Sequence, residues 1–178
     1  GTTAATRNVI SGNAEQGIVF DNVDNSTISG NYVGTNAAGT ADVNGAVANT
    51  AQSGIYLANG SSGNTVGGTS AGARNVLSGN NHWGFEVIHA PSPNDLLQGN
   101  DIGAAVFWGA GTGNVFGGGA AGARNVIAGN YNGVVVGNAS SGATVQGNYI
   151  GVGADGVTVL ANGGAGVSVE GGSTGTLV

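Results

Sequence analysis

One block of seven residues occurs three times in the chain. It reads Arg7-Asn-Val-Ile-Ser-Gly-Asn13, Arg74-Asn-Val-Leu-Ser-Gly-Asn80 and Arg124-Asn-Val-Ile-Ala-Gly-Asn130. A second signature follows each block: Gly30-Asn-Tyr-Val-Gly34, Gly99-Asn-Asp-Ile-Gly103 and Gly147-Asn-Tyr-Ile-Gly151. Residues 54–75 align without gaps on residues 104–125, and the middle unit lacks the equivalent of Thr35 to Ser53. The chain therefore divides into three imperfect units, 1–67, 68–117 and 118–178, within a single domain. The unit lengths differ by about one coil's worth of residues, so coils are expected to be inserted or deleted whole. A repeat of this kind restricts the fold to architectures in which each unit buries its apolar side against its neighbours.

Within the units the apolar residues alternate over four or five positions. One version is Gly-apolar-x-apolar, as in Gly17-Ile-Val-Phe20, Gly54-Ile-Tyr-Leu57, Gly84-Phe-Glu-Val87 and Gly133-Val-Val-Val136. The other is apolar-x-Gly-Asn, led by Ile10, Ile28, Leu77, Leu97, Ile127 and Val145. Period-two alternation in β-branched residues predicts short strands. The Gly-Asn tails supply residues that tolerate the positive φ of sharp turns. Short strands, turn residues and a near-20-residue repeat predict an all-β, single-stranded parallel β-helix (a β-solenoid) of roughly eight coils, about 35–40 Å long. Three inward columns follow. The first is Ile18, Ile55, Phe85, Ala105, Val134, Val167. The second is Phe20, Leu57, Val87, Phe107, Val136, Val169. The third is Ile10, Ile28, Val66, Leu77, Leu97, Phe116, Ile127, Val145.

Composition narrows the function classes. Of 178 residues 38 are Gly and 22 Asn, the charged fraction is 7%, and the net charge is −6 with every positive charge an Arg. Gly and Asn are poor helix formers, so long helices are not expected. Nucleic-acid binding requires a basic footprint to neutralise phosphate, and an anionic membrane surface asks for the same; neither is expected as a partner. No apolar run approaches the length of a membrane span. With no Cys there is no disulfide, thiol chemistry or Cys-ligated metal.

The runs Asn64-Thr-Val-Gly-Gly-Thr-Ser-Ala-Gly-Ala-Arg-Asn-Val-Leu-Ser-Gly-Asn80 and Gly30-Asn-Tyr-Val-Gly-Thr-Asn-Ala-Ala-Gly-Thr40 resemble repeats of large bacterial surface or secreted proteins. Such repeats are right-handed parallel β-helices, similar to the pectate-lyase-like superfamily. The resemblance covers nearly the whole chain. It implies right-handedness and an extracellular or cell-surface location, and it specifies the coil far more than the function.

The search for chemistry starts with charge. Arg7, Arg74 and Arg124 share one repeat position and read as corner residues that bond turn carbonyls. Polysaccharide lyases on this scaffold use a basic residue and calcium-binding acids, whereas this chain has no Lys. It also has no adjacent Asp pair of the polygalacturonase type. Asp21 and Asp24 carry oxygens of the kind Ca2+ takes, though their stretch reads first as a solvated turn. His82 and His89 lack the spacing of a zinc site.

One region departs from the repeat, 81–95 with Phe107 and Trp108; it holds both His, both Pro and both Trp. Alternation sends Val19, Tyr56, Glu86, Val106, Val135 and Ser168 outward, with Asp21, Ala58, Ile88, Trp108, Gly137 and Glu170 beside them. Tyr56, His82, Trp83, Glu86, His89 and Trp108 are thus the candidate contact residues, for a protein partner or for a glycan stacked on aromatic faces. Glu86 with His89 or Asp101 is the only candidate acid–base pair, and nothing in the spacing requires it. No catalytic residue is assigned, and the sequence leans against an enzyme.

Neither end of the chain shows a capping helix or a charged terminal coil, so the ends are expected to stack on other copies or on the rest of a longer array. The sequence favours a non-catalytic extracellular structural or adhesive module, self-associating end to end into filaments. The alternative is a carbohydrate-binding or polysaccharide-processing module of pectate-lyase-like type. A spacer carrying other domains is the third reading.

Overall fold

The computed structural model describes residues 1–43, 53–80, 82–88, 92–103, 106–109 and 111–178, with the side chains of residues 107 and 108 outside the description. Among the described residues the strands form three sheets, and every strand pair within them is parallel. The first sheet stacks β1 (Val9–Ile10), β4 (Tyr32–Val33), β7 (Val76–Ser78), β10 (Asp101–Gly103), β13 (Val126–Ile127) and β16 (Tyr149–Ile150). The second stacks β2 (Ile18–Asp21), β5 (Ile55–Ala58), β8 (Phe85–Ile88), β11 (Val106–Gly109), β14 (Val134–Gly137) and β17 (Val167–Val169). The third stacks β3 (Thr27–Ile28), β6 (Thr65–Gly67), β9 (Leu96–Gln98), β12 (Val115–Gly117) and β15 (Thr144–Gln146). Each neighbour in a sheet is three strands away in sequence, which defines a parallel β-solenoid. Among the described residues the helical content is limited to 3-10 turns at Ala4–Thr6, Ala71–Ala73 and Ala121–Ala123.

Among the described residues the strands stack as about six coils, not eight. Six rungs at the spacing of paired strands give a rise of about 24 Å from first to last. The excess in the sequence count has a physical origin. The apolar-x-Gly-Asn signature occurs at two corners of a coil, so the third predicted column merges two sheets. Ile10, Leu77 and Ile127 belong to the first sheet, whereas Ile28, Val66, Leu97, Phe116 and Val145 belong to the third. Val33, Ile102 and Ile150 complete the first sheet's inward column, and all of these residues pack in or against one core cluster. The segment that follows Thr35 is likewise not a whole coil. β4 pairs with β7 and β5 with β8, so the segment between β4 and β5 adds no rung of its own, and its described part carries an antiparallel bridge from Thr35 to Asp42. Residues 44–52 of that predicted insertion lie outside the described residues.

The second sheet corrects the alignment by one residue. Val106 pairs with Phe85 and Val134, Phe107 with Glu86 and Val135, and Trp108 with Val87 and Val136. Val106 is fully buried in the core column assigned from sequence to Ala105, which itself lies outside the described residues. Phe107 and Trp108 therefore exchange the inward and outward register positions expected of them. A one-residue slip moves every side chain to the opposite face. Here it places a valine rather than a methyl group between Phe85 and Val134, which fills the column. The slip is absorbed in the following corner, because Ser62 and Thr112 keep equivalent bridging positions.

Asparagine, not only apolar packing, joins the coils. Asn8, Asn31, Asn75, Asn100, Asn125 and Asn148 stand one above another. The Nδ2 of each donates to the Oδ1 of the next, at 2.9 to 3.1 Å. The backbone N–H of Asn31, Asn75, Asn100 and Asn125 donates to the same oxygen, at 2.9 to 3.2 Å. Asn75, Asn100 and Asn125 are fully buried, and these bonds satisfy groups that would otherwise be costly there. The Gly-Asn tails thus divide their labour. Gly30 and Gly99 take a φ of 68°, and a Cβ on either would collide with the carbonyl of Gly1 or Gly68. The Asn that follows keeps negative φ and builds the ladder. A shorter ladder at another corner runs from Ser26 through Asn64 and Asp95 to Asn114, each backbone N–H donating to the next side-chain oxygen at 2.7 to 3.0 Å.

Candidate functional site

The second sheet's outer face carries the residues predicted to make contacts. Tyr56 and Glu86 are direct neighbours in β5 and β8. Their side chains leave the sheet on the face opposite Ile55, Leu57, Phe85 and Val87, because residues alternate along a strand. The turn before β8 brings His82 and Trp83 to the same region, with ring centroids 5.0 Å apart and planes at 67°. His82 Nδ1 lies 3.9 Å from Glu86 Oε2, an ion pair when the imidazole is protonated. Four of the six predicted residues are therefore brought together. His89 lies outside the described residues, and only the backbone position of Trp108 is given, in register with Val87 rather than beside Ile88.

The face is less open than alternation alone implies. Glu86 is 7% exposed and Val135 3%, although both point away from the core. Ser53, itself fully buried, lies over Glu86 and donates its hydroxyl proton to Oε2. The sequence offered no signal for Ser53, since it stands at the end of the excursion rather than in the strand pattern. Burial pushes the Tyr56 hydroxyl pKa up, and the charges of Glu86 and Asp21 add to the shift. The arrangement places a carboxylate between a serine and a histidine. A nucleophile relay needs the histidine in the middle, so Ser53 is not activated by this geometry. What the cluster offers is hydrogen bonding beside aromatic edges.

Asp101 is not a partner of Glu86. It lies in β10 on the first sheet, where its Oδ2 accepts from Arg74 Nη1 at 3.1 Å. Burial raises the Asp101 pKa, and the Arg74 charge opposes the rise. The other two arginines take the same step up one coil. Arg7 stacks over Tyr32 at 4.1 Å and Arg124 over Tyr149 at 4.0 Å. Of the three, Arg124 makes the expected bond to a corner carbonyl, donating Nε–H to the Gly147 oxygen at 3.0 Å. Asp21 accepts from Asn59 Nδ2 at 2.7 Å, and Asp24 from the Ser62 N–H and hydroxyl at 2.9 and 2.6 Å. Both tie the first coil to the second. Among the described residues no three His, Asp or Glu side chains gather in a way that would hold a metal.

A feature not foreseen from sequence lies on the first sheet. Two corner excursions rise from it, one bridged at Thr35 and Asp42, the other at Val152 and Val159. Each is seated on the tyrosine of its own coil, Gly39 against Tyr32 and Gly156 against Tyr149. The coil midway between them has only two residues between Gly103 and Val106 and has Asp101 in place of the tyrosine. The result is a groove of about 400 Å3, with Val76, Asp101 and Val126 on its floor and Gly39 and Leu160 at its sides. The matching Gly34-x4-Gly39 and Gly151-x4-Gly156 spacings are the sequence signal for it. None of the described helical turns is long and apolar enough to cross a membrane. No protein-family model matches this chain, and no curated protein or solved structure matches it.

Proposed function

We propose that the chain is a non-catalytic structural or adhesive β-solenoid module, working outside the cell and associating end to end with further copies of itself. The observation that carries this is the complementarity of the two end faces. In the first coil Ile10, Ile18 and Phe20 are only partly buried, and in the last coil so are Ile150 and Val167. Among the described residues the asparagine ladder runs from Asn8, whose Oδ1 accepts no ladder bond, to Asn148, whose backbone N–H meets no ladder oxygen. One end thus presents the acceptor that the other end's donor requires. Such a head-to-tail contact is heterologous and propagates as an open filament. The resemblance to right-handed parallel β-helix repeats of bacterial surface or secreted proteins supports the same reading.

Negative-stain imaging of the concentrated protein tests it. Rods in multiples of one module's rise, about 25–30 Å, are expected. Single modules at every concentration would remove the reading. A carbohydrate-binding function is the second reading, favoured by the grouping of Tyr56, His82, Trp83 and Glu86 on adjacent coils. A glycan array with Trp83→Ala as control tests that, and equal signal from both proteins would exclude it.

A further inference from the structure

Among the described residues, 3-10 turns recur on every second coil, at Ala4–Thr6, Ala71–Ala73 and Ala121–Ala123, and each forms an arm stacked against the next. The interior arms are packed without tolerance. A Cβ on Gly72 would overlap the Thr2 carbonyl oxygen, and a Cβ on Gly122 would overlap that of Thr69. Neither glycine has a positive φ, so the requirement is space rather than backbone conformation. Each arm therefore needs a glycine at its centre if another arm is to lie in front of it. The first arm reads Ala4-Ala5-Thr6 where the others read Ala71-Gly72-Ala73 and Ala121-Gly122-Ala123. Ala5 occupies the position that must be glycine.

A second difference falls on the same arm. Ala73 and Ala123 are buried, whereas Thr6 is exposed and closes the first arm on itself. Its Oγ1 lies 2.9 Å from Thr3 Oγ1 and 3.2 Å from the Thr3 N–H that donates to it. Thr2, Thr3 and Ala5 are exposed as well. The outer side of this arm is thus polar and carries one methyl group directed at the place of a preceding arm.

We infer that the Ala5 methyl is a steric stop on the first coil's end face, which holds contact with a second copy of this chain weak. The inference rests on the end-to-end association proposed above and says what limits it. In a second copy stacked in the repeat's register, the Gly119 carbonyl takes the place of those of Thr2 and Thr69. It meets the Ala5 methyl, so the contact must open or slide before it forms. The ends are therefore unequal. The Tyr149 end accepts an arm with a central glycine freely, and the Val9 end admits an in-register copy only with the strain of the Ala5 contact.

Sedimentation equilibrium of the wild-type chain, Ala5→Gly and Ala5→Val tests this, with circular dichroism confirming that all three fold alike. Ala5 is exposed, so neither change disturbs the core. Ala5→Gly is expected to tighten self-association about tenfold or more, and Ala5→Val to weaken it. Equal association by all three would overturn the stop and leave the end-to-end reading standing. No association by any of them, at the highest concentration reached, would overturn both.

Discussion

At the scale of the residue, the buried polar groups decide stability. Asp95 sits in a ladder position that Asn64 and Asn114 hold in the neighbouring coils, and it is 1% exposed. Burial pushes its carboxyl up to about 6, with the bonds from Asn64 opposing and the Asp24 charge adding slightly. The folded chain thus retains a proton that the unfolded chain has already released between about pH 4 and 6. Stability falls as pH rises through that window, and the loss is complete above it. Asp95→Asn keeps the acceptor for the Asn64 N–H and removes the charge. It is expected to stabilise the protein at pH 7 by about 1–3 kcal/mol and to flatten its slope between pH 4 and 6. Urea midpoints at pH 4.5 and 7 check both. Asn100 is the opposite case, because its side-chain amide takes part in five bonds with Asn75, Asn125, Val66 and Gln98. Asn100→Ala strands the Asn75 N–H groups in the core and is expected to cost about 3 kcal/mol or more. Asn8→Ala, at the ladder's exposed end, should cost much less by the same measurement.

At the scale of the element, strand identity was readable in the sequence and register was not always so. Tyr56 and Glu86 between apolar residues fix the buried face of β5 and β8, and the shared Gly-apolar-x-apolar motif carries that register to β2 and β14. Residues 104–109 are apolar on both faces, so alternation cannot choose between Ala105 and Val106 as the inward residue. The structure chooses Val106. Val106→Asp is expected to destabilise by several kcal/mol, about 3 or more, because it leaves a carboxylate without a partner in the core. Val19→Asp, at a half-exposed outward position in β2, is expected to stay within about 0.5 kcal/mol. Thermal melts of the two variants, side by side, test the register. The asparagine ladder was invisible for a related reason. A Gly-Asn pair is ordinary turn chemistry, and only the stacking of coils reveals that its second member faces another asparagine.

At the scale of the whole molecule, the repeat alone showed that coils stack, and the structure supplies their number. Two corners share one signature, so counting signatures overstated the coils by two. The contact site was legible in part. Tyr56, Glu86, His82 and Trp83 converge as the departure from the repeat implied, but the burial of Glu86 depends on Ser53, which no periodicity marks. The groove on the first sheet arises from an excursion that one coil omits, a property of three coils together rather than of any segment. Each coil passes its polar bonds to the next without a break along the asparagine ladder. Hydrogen exchange at the backbone amides of Asn31, Asn75, Asn100 and Asn125 tests it most directly. Exchange is expected only through global unfolding, with one free energy shared by Asn75, Asn100 and Asn125 and matching that from denaturant. Exchange at Asn75 or Asn100 at the rate of an unprotected amide would contradict it.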